Sequence, residues 1–182
     1  DGAARYAKKY HIPFIFHPIY YENAIRRKWP WQLYKKTIGR KTFEAADVVV
    51  VISPFEQSLI EQAGLPVKRF ALIPPGIDLE NYAQPRPNPF TMRAITSPVL
   101  LAVSRIAASK GIDTLITALA DVIKAKPDVQ LVIVGEDFGA KKALKKQAEV
   151  LGVSKHIHWL GKLRDEELKG AYQHADVFVH GS

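Results

Sequence analysis

From Val99 onward the chain alternates short apolar runs with amphipathic stretches, and few folds accept that alternation. The runs cover residues 99–103, 131–134, 157–160 and 176–179. Each is rich in β-branched or aromatic residues and too short for a helix. Between them, residues 113–126 place Leu115, Ile116, Leu119, Val122 and Ile123 on one helical face. Residues 140–151 form a basic amphipathic pattern that stops at Gly152, and residues 165–174 a third helix with Asp165 as its cap. Strand and helix in strict turn predict an α/β architecture of βαβ units on a parallel, Rossmann-type sheet flanked by helices. Crossovers in such a sheet are right-handed.

The first half follows the same logic less regularly. A short apolar run bounded by Pro13 and Pro18 predicts a strand ending near His17. A helical region is expected over residues 24–46, broken into two pieces by Pro30. Five β-branched residues, Val48 to Ile52, read as a strand buried on both faces of a sheet. Ser53, Pro54 and Glu56 supply a cap, a first helical residue and a capping-box acid, so a helix runs to about Ala63 and stops at Gly64. Residues 70–73 form another strand, ended by Pro74, Pro75 and Gly76. Pro85, Pro87, Pro89 and Pro98 then mark residues 83–98 as a linker. The expected organisation is a first domain over 1–82, a Pro-rich linker over 83–98 and a second domain over 99–182.

Composition narrows the function classes. The chain of 182 residues has 47% hydrophobic and 24% charged residues, which suits a packed core. The absence of cysteine removes disulfides, cysteine zinc sites and cysteine nucleophiles, and fits a reducing, cytoplasmic compartment. No apolar run reaches the roughly 18 residues of a membrane span. The chain opens on Asp1 and its only methionine is Met92, which predicts a piece of a longer or processed protein. Net charge is +8, and the excess is local: residues 1–41 hold ten bases and two acids, while the remainder balances. Within that segment, Arg26, Arg27, Lys28, Lys35 and Lys36 interleave with Trp29, Trp31 and Tyr34. Residues 25–41 therefore suit an anionic membrane surface, with a solvated helix face as the alternative. The neutral balance after residue 41 argues against nucleic acid.

In parallel sheets, ligands bind outside the carboxyl ends of the strands. That rule selects Ser104 and Arg105, Gly135 and Glu136, Gly161 and Lys162, and the residues from His180 to Ser182. The loop from Ser104 to Gly111 carries Arg105 and Lys110 among small residues, just before a helix N-terminus. An anion such as a diphosphate is its natural ligand; two solvated surface bases are the alternative. No P-loop and no G-x-G-x-x-G fingerprint is present, which weighs against simple NTPase and NAD readings. Gly135 and Gly139 allow a close backbone approach to a ligand, and Glu136 with Asp137 read as a capping turn rather than a metal pair. His17 ends a strand, where an imidazole can act as acid, base or hydrogen-bond donor; a structural role is the default for a lone histidine. The other histidines show no metal-binding spacing.

Taken together, the ordered motifs of residues 47–182 resemble the retaining glycosyltransferases of family 4, which have the GT-B fold. Ala46 to Ser53 is similar to that family's last strand of the N-terminal domain. Leu72-Ile-Pro-Pro-Gly-Ile-Asp78 resembles its interdomain segment, with Pro75 where asparagine is usual. Val103-Ser-Arg105 with Lys110-Gly111 resembles the donor-diphosphate loop. Residues 131–135, 157–162 and 175–179 resemble the following strands. The resemblance implies the end of an acceptor-side N-terminal domain joined to the first half of a C-terminal donor domain. It implies a hexosyltransferase-type enzyme that moves a sugar from a UDP- or GDP-linked donor to a hydroxyl acceptor, lipid-linked or a polysaccharide precursor, with retention of configuration. Arg105 and Lys110 would neutralise the diphosphate as it leaves, with no metal or other cofactor required. Gly135 would let the backbone approach the donor, Gly161 and Leu163 would flank backbone contacts to its base, and His17 would face the reacting sugar. The basic segment would place the enzyme peripherally at the inner membrane face. The glutamate pair that normally holds ribose and donor sugar would lie beyond Ser182, so this piece alone is expected not to turn over.

Two other readings share the pattern: a sugar-nucleotide epimerase of the same architecture, which needs no acceptor, and a non-catalytic nucleotide-sugar or membrane-binding module. Donor base and sugar, acceptor, linkage and oligomeric state are not encoded in these motifs.

Overall fold

A computed structural model describes residues 2–20, 33–34, 36–95 and 98–181. The chain divides into two compact units, Asp1–Ile77 and Asp78–Ser182. The basic stretch with Arg26 to Trp31, and the Pro30 break expected there, lie outside the described residues.

The first unit holds a three-stranded parallel sheet in the order β1 (Ile15–Phe16), β2 (Val48–Val51), β3 (Phe70–Leu72). Helices α1 (Gly2–Tyr10), α2 (Ile38–Ala45) and α3 (Pro54–Gln62) accompany it. Val49 and Val51 are fully buried, while Val48 and Val50 are only half-buried. The β-branched run therefore packs one face completely, not both as expected. That face meets Phe43, Ala46, Ile60 and Leu65. Helix α3 begins as its sequence dictates: Ser53 Oγ accepts the Glu56 N–H at 3.1 Å, with Pro54 as first helical residue.

The second unit is a four-stranded parallel sheet in the order β6 (Ile157–Gly161), β5 (Gln130–Val134), β4 (Val99–Val103), β7 (Val177–Phe178). Its continuous apolar strands are explained by burial on both faces. Leu131 and Ile133 point to one core with Ile116 and Leu119 of α5 (Ile112–Ala125) and Leu144 of α6 (Lys141–Val150). Val132 and Val134 point to the other, with Leu101, Phe90, Leu163 and Ala171 of α7 (Asp165–His174). The cap of α7 is Arg164, one position earlier than expected, and Asp165 is its first helical residue.

The Pro-rich stretch departs from the expected linker. A short helix missed in the sequence, α4 (Leu79–Ala83), opens the second unit behind its cap Asp78. Beyond it, the Arg86 N–H donates to Gln173 Oε1 at 2.9 Å, and Gln173 Nε2 donates to the carbonyls of Tyr82 and Gln84 at 2.7 Å each. Phe90 and Ile95 are buried in the second core. Proline forbids regular ladders here, but it does not prevent a coil from burying Phe90. The unit boundary accordingly falls after Ile77, ahead of the prolines.

Candidate functional site

Strand order β6-β5-β4-β7 places the reversal of strand order between β4 and β7. A crevice at the carboxyl ends of those two strands is where a doubly wound sheet takes its ligand. The loop from β4 to α5 and the residues after β7 line it. At that edge Gly111 and Gly181 lie back to back. A Cβ on Gly111 would stand 2.1 Å from the Gly181 carbonyl oxygen, and one on Gly181 would stand 2.3 Å from that of Gly111. Gly111 also has φ of 60°, a left-handed value that turns the chain into α5 without a side-chain cap. Only glycine satisfies both demands at this position.

The loops after β4, β5 and β6 are stitched together above the sheet. The Ser104 N–H donates to the Val134 carbonyl at 3.0 Å, Ile106 N–H to Glu136 at 2.8 Å, and Phe138 N–H to Ile106 at 3.0 Å. The Gly135 N–H donates to the Gly161 carbonyl at 2.8 Å. Gly135 does serve a close approach, but the approaching group is the Ser104 carbonyl, 1.8 Å from where a Cβ would sit. Asp137 Oδ1 accepts the N–H groups of Gly139 and Lys141 at 2.9 and 3.2 Å. Asp137 alone of the two adjacent acids thus makes the capping turn for α6. Among the described residues no group of three or more histidine, aspartate or glutamate side chains could hold a metal ion.

Arg105 emerges from this stitched edge exposed, and Lys110 sits half-buried in the short turn Ala108–Lys110. Neither forms an ion pair with a described carboxylate. The Arg105 guanidinium carbon instead lies over the Phe138 ring, 5.2 Å from its centre. Two cations with free N–H donors, beside the N-terminus of a fourteen-residue helix, suit a polyanion. Gly161, with φ of 69°, turns the chain out of β6. The Leu163 side chain belongs to the core.

In the first unit, His17 follows β1 and its ring is exposed. The segment behind it is anchored by a residue whose second task the sequence did not reveal. The buried Glu56 carboxylate accepts the Tyr20 N–H with Oε1 and the Ile52 N–H with Oε2, the latter at 2.8 Å. A capping box would send that carboxylate to the Ser53 N–H; here it ties the exits of β1 and β2 together. Tyr20 is buried with its ring edge-on to Phe43, and Ile19 takes φ of 46°, a strained value for a β-branched residue. A cleft of about 730 Å³ lined by Lys8, His11, Lys41 and Lys68 lies at the opposite, amino-terminal end of these strands, away from where parallel sheets bind substrates.

Two successive units built on parallel sheets, the second doubly wound, are the architecture of the GT-B fold. The chain belongs to the family described as glycosyl transferases group 1, whose model matches residues 91–182, and the model of glycosyltransferase family 4 matches residues 1–81. It is 29% identical over 158 residues to the GDP-mannose-dependent alpha-(1-6)-phosphatidylinositol monomannoside mannosyltransferase of Mycobacterium tuberculosis, covering 83% of this chain and 40% of that protein. It is 30% identical over 155 residues to the alpha-monoglucosyldiacylglycerol synthase of Streptococcus pneumoniae, covering 81% of this chain and 35% of that protein. The crystal structure of Anabaena HepE in complex with UDP superposes with a TM-score of 0.82 at 23% identity, covering 98% of this chain and 49% of that one. The chain therefore spans two fifths or less of the length of these curated relatives.

Proposed function

We propose that this chain is the central part of a hexosyltransferase that moves a sugar from a nucleotide-diphosphate donor to a hydroxyl acceptor with retention of configuration. The observation that carries the reading is the Arg105–Lys110 loop: two cations without carboxylate partners among the described residues, at the crevice of a doubly wound sheet. In the reaction the bond from the sugar's anomeric carbon to the diphosphate breaks and its electron pair stays on the diphosphate oxygen. Arg105 and Lys110 hold the charge that develops there, so side-chain cations do the work a metal does elsewhere. The acceptor oxygen bonds the anomeric carbon as its proton passes to the departing diphosphate oxygen. His17 faces the reacting sugar, Gly161 and Leu163 offer backbone to the base, and Gly135 keeps the donor loop close to the sheet edge.

Two relatives act on lipids by name, a phosphatidylinositol mannoside and a diacylglycerol product. These names support a lipid-borne acceptor; the basic residues 25–41 are the argument for a peripheral place at the inner, cytoplasmic membrane face. No described helix is long and apolar enough to cross a membrane. The donors named for relatives and neighbours support UDP or GDP as the carrier. The test is transfer by the full-length protein from GDP-mannose or UDP-glucose to phosphatidylinositol or diacylglycerol vesicles, with the one-bond coupling between the anomeric carbon and its proton in the product read by NMR. An α-linked product from an α-linked donor, formed equally in EDTA, is expected. A β-linked product overturns retention, and donor conversion without any acceptor overturns transfer in favour of epimerisation.

A further inference from the structure

Phe138 is a large apolar side chain left 55% exposed on a loop, and its place is not accidental. Its own N–H is bonded to the Ile106 carbonyl, the preceding Asp137 carboxylate caps the following helix, and Gly135 abuts Ser104. The β5 exit is thus fastened to the β4 exit at the residues immediately before and after Arg105. The ring is held beneath the guanidinium, 5.2 Å from ring centre to the guanidinium carbon.

Chemistry explains why a ring is useful there. A carboxylate partner would orient Arg105 by consuming its N–H donors, and it would repel an incoming anion. An aromatic face holds the same guanidinium through its π cloud and leaves the N–H fork open for bidentate contact. Glu136 and Asp137 stand on the same loop, yet neither pairs with Arg105. We infer that Phe138 is a positioning residue that presents the Arg105 fork to the diphosphate of the donor. The inference rests on the proposed reading of Arg105 as a diphosphate ligand.

The test is calorimetric titration of the full chain with UDP and GDP, and with uridine and guanosine as phosphate-free probes. Phe138→Leu keeps an apolar side chain of similar reach but removes the π face. It is expected to weaken the preferred diphosphate about two- to fivefold, the range of an exposed cation–π contact. Phe138→Tyr restores affinity, the nucleoside is unaffected, and Phe138→Leu adds nothing in an Arg105→Ala background. Equal diphosphate affinity in Phe138→Leu overturns the inference while leaving the reading of Arg105 intact. So does an equal loss for nucleoside and diphosphate, or the same loss without Arg105. If the wild type binds neither diphosphate, the reading of the loop fails and the inference falls with it.

Discussion

Asp47 and His17 lie in one unit and separate structural from chemical roles at the scale of a residue. Asp47 is held below the ordinary aspartate range, first by the Phe14 N–H and then by the Lys68 ammonium, whose Nζ lies 3.1 Å from Oδ1. Its native pKa is below its unfolded one. The stability it contributes is therefore complete above the ordinary aspartate range and is lost as pH falls through the native value. Thermal midpoints measured from neutral to strongly acidic pH should fall less steeply in Asp47→Ala than in the wild type; parallel curves would remove Asp47 from the account. His17 makes the opposite prediction. Its ring is exposed, so His17→Ala should leave the thermal midpoint unchanged while lowering transfer by roughly 10²-fold, the lower range for a positioned proton-transfer group. Undiminished turnover would take His17 out of the reaction.

At the scale of elements, the caps and glycines set the site. Ser53→Ala removes the acceptor for the Glu56 N–H and should cost about 1 kcal/mol, read in chemical denaturation. Gly135→Ala is expected to be harsher than any surface change. Its Cβ would fall 1.8 Å from the Ser104 carbonyl, at a φ of 150°, so the loop that carries Arg105 must move. Diphosphate affinity should drop along with stability; an unaltered Kd would mean the two loops are not coupled. These elements also show what a sequence can reveal. Strand runs of Val and Ile and the Ser53 cap rest on local chemistry, so their places were legible within a residue or two. The position of Arg105 and Lys110, just past the carboxyl end of β4, was legible from the strand pattern. Glu56 reads as a capping-box acid, but its carboxylate ties Tyr20 to Ile52 instead, which the sequence hid because Tyr20 is thirty-six residues away. Phe138 gave no signal, since its partner comes from another loop. The prolines of residues 83–98 misled: proline marks the lack of regular structure, and Phe90 alone hinted at packing.

At the scale of the whole molecule, charge and folding are partitioned. The entire excess of +8 is carried by residues 1–41, and the sheet edge with Arg105 and Lys110 belongs to the unit Asp78–Ser182. Two separate electrostatic behaviours follow. Cosedimentation with anionic vesicles should fall steeply with salt, and it should be abolished by neutralising Arg26, Arg27 and Lys28 while diphosphate affinity is kept. Salt-independent vesicle binding would refute a peripheral electrostatic contact. The central claim concerns the other behaviour, and calorimetric titration of UDP and GDP into the wild-type chain and into Arg105→Ala/Lys110→Ala tests it most directly. The account predicts one diphosphate bound per chain by the wild type, and an affinity at least about tenfold lower in the double variant, the scale of one or two charge-assisted hydrogen bonds. Equal affinity in a folded double variant would contradict it.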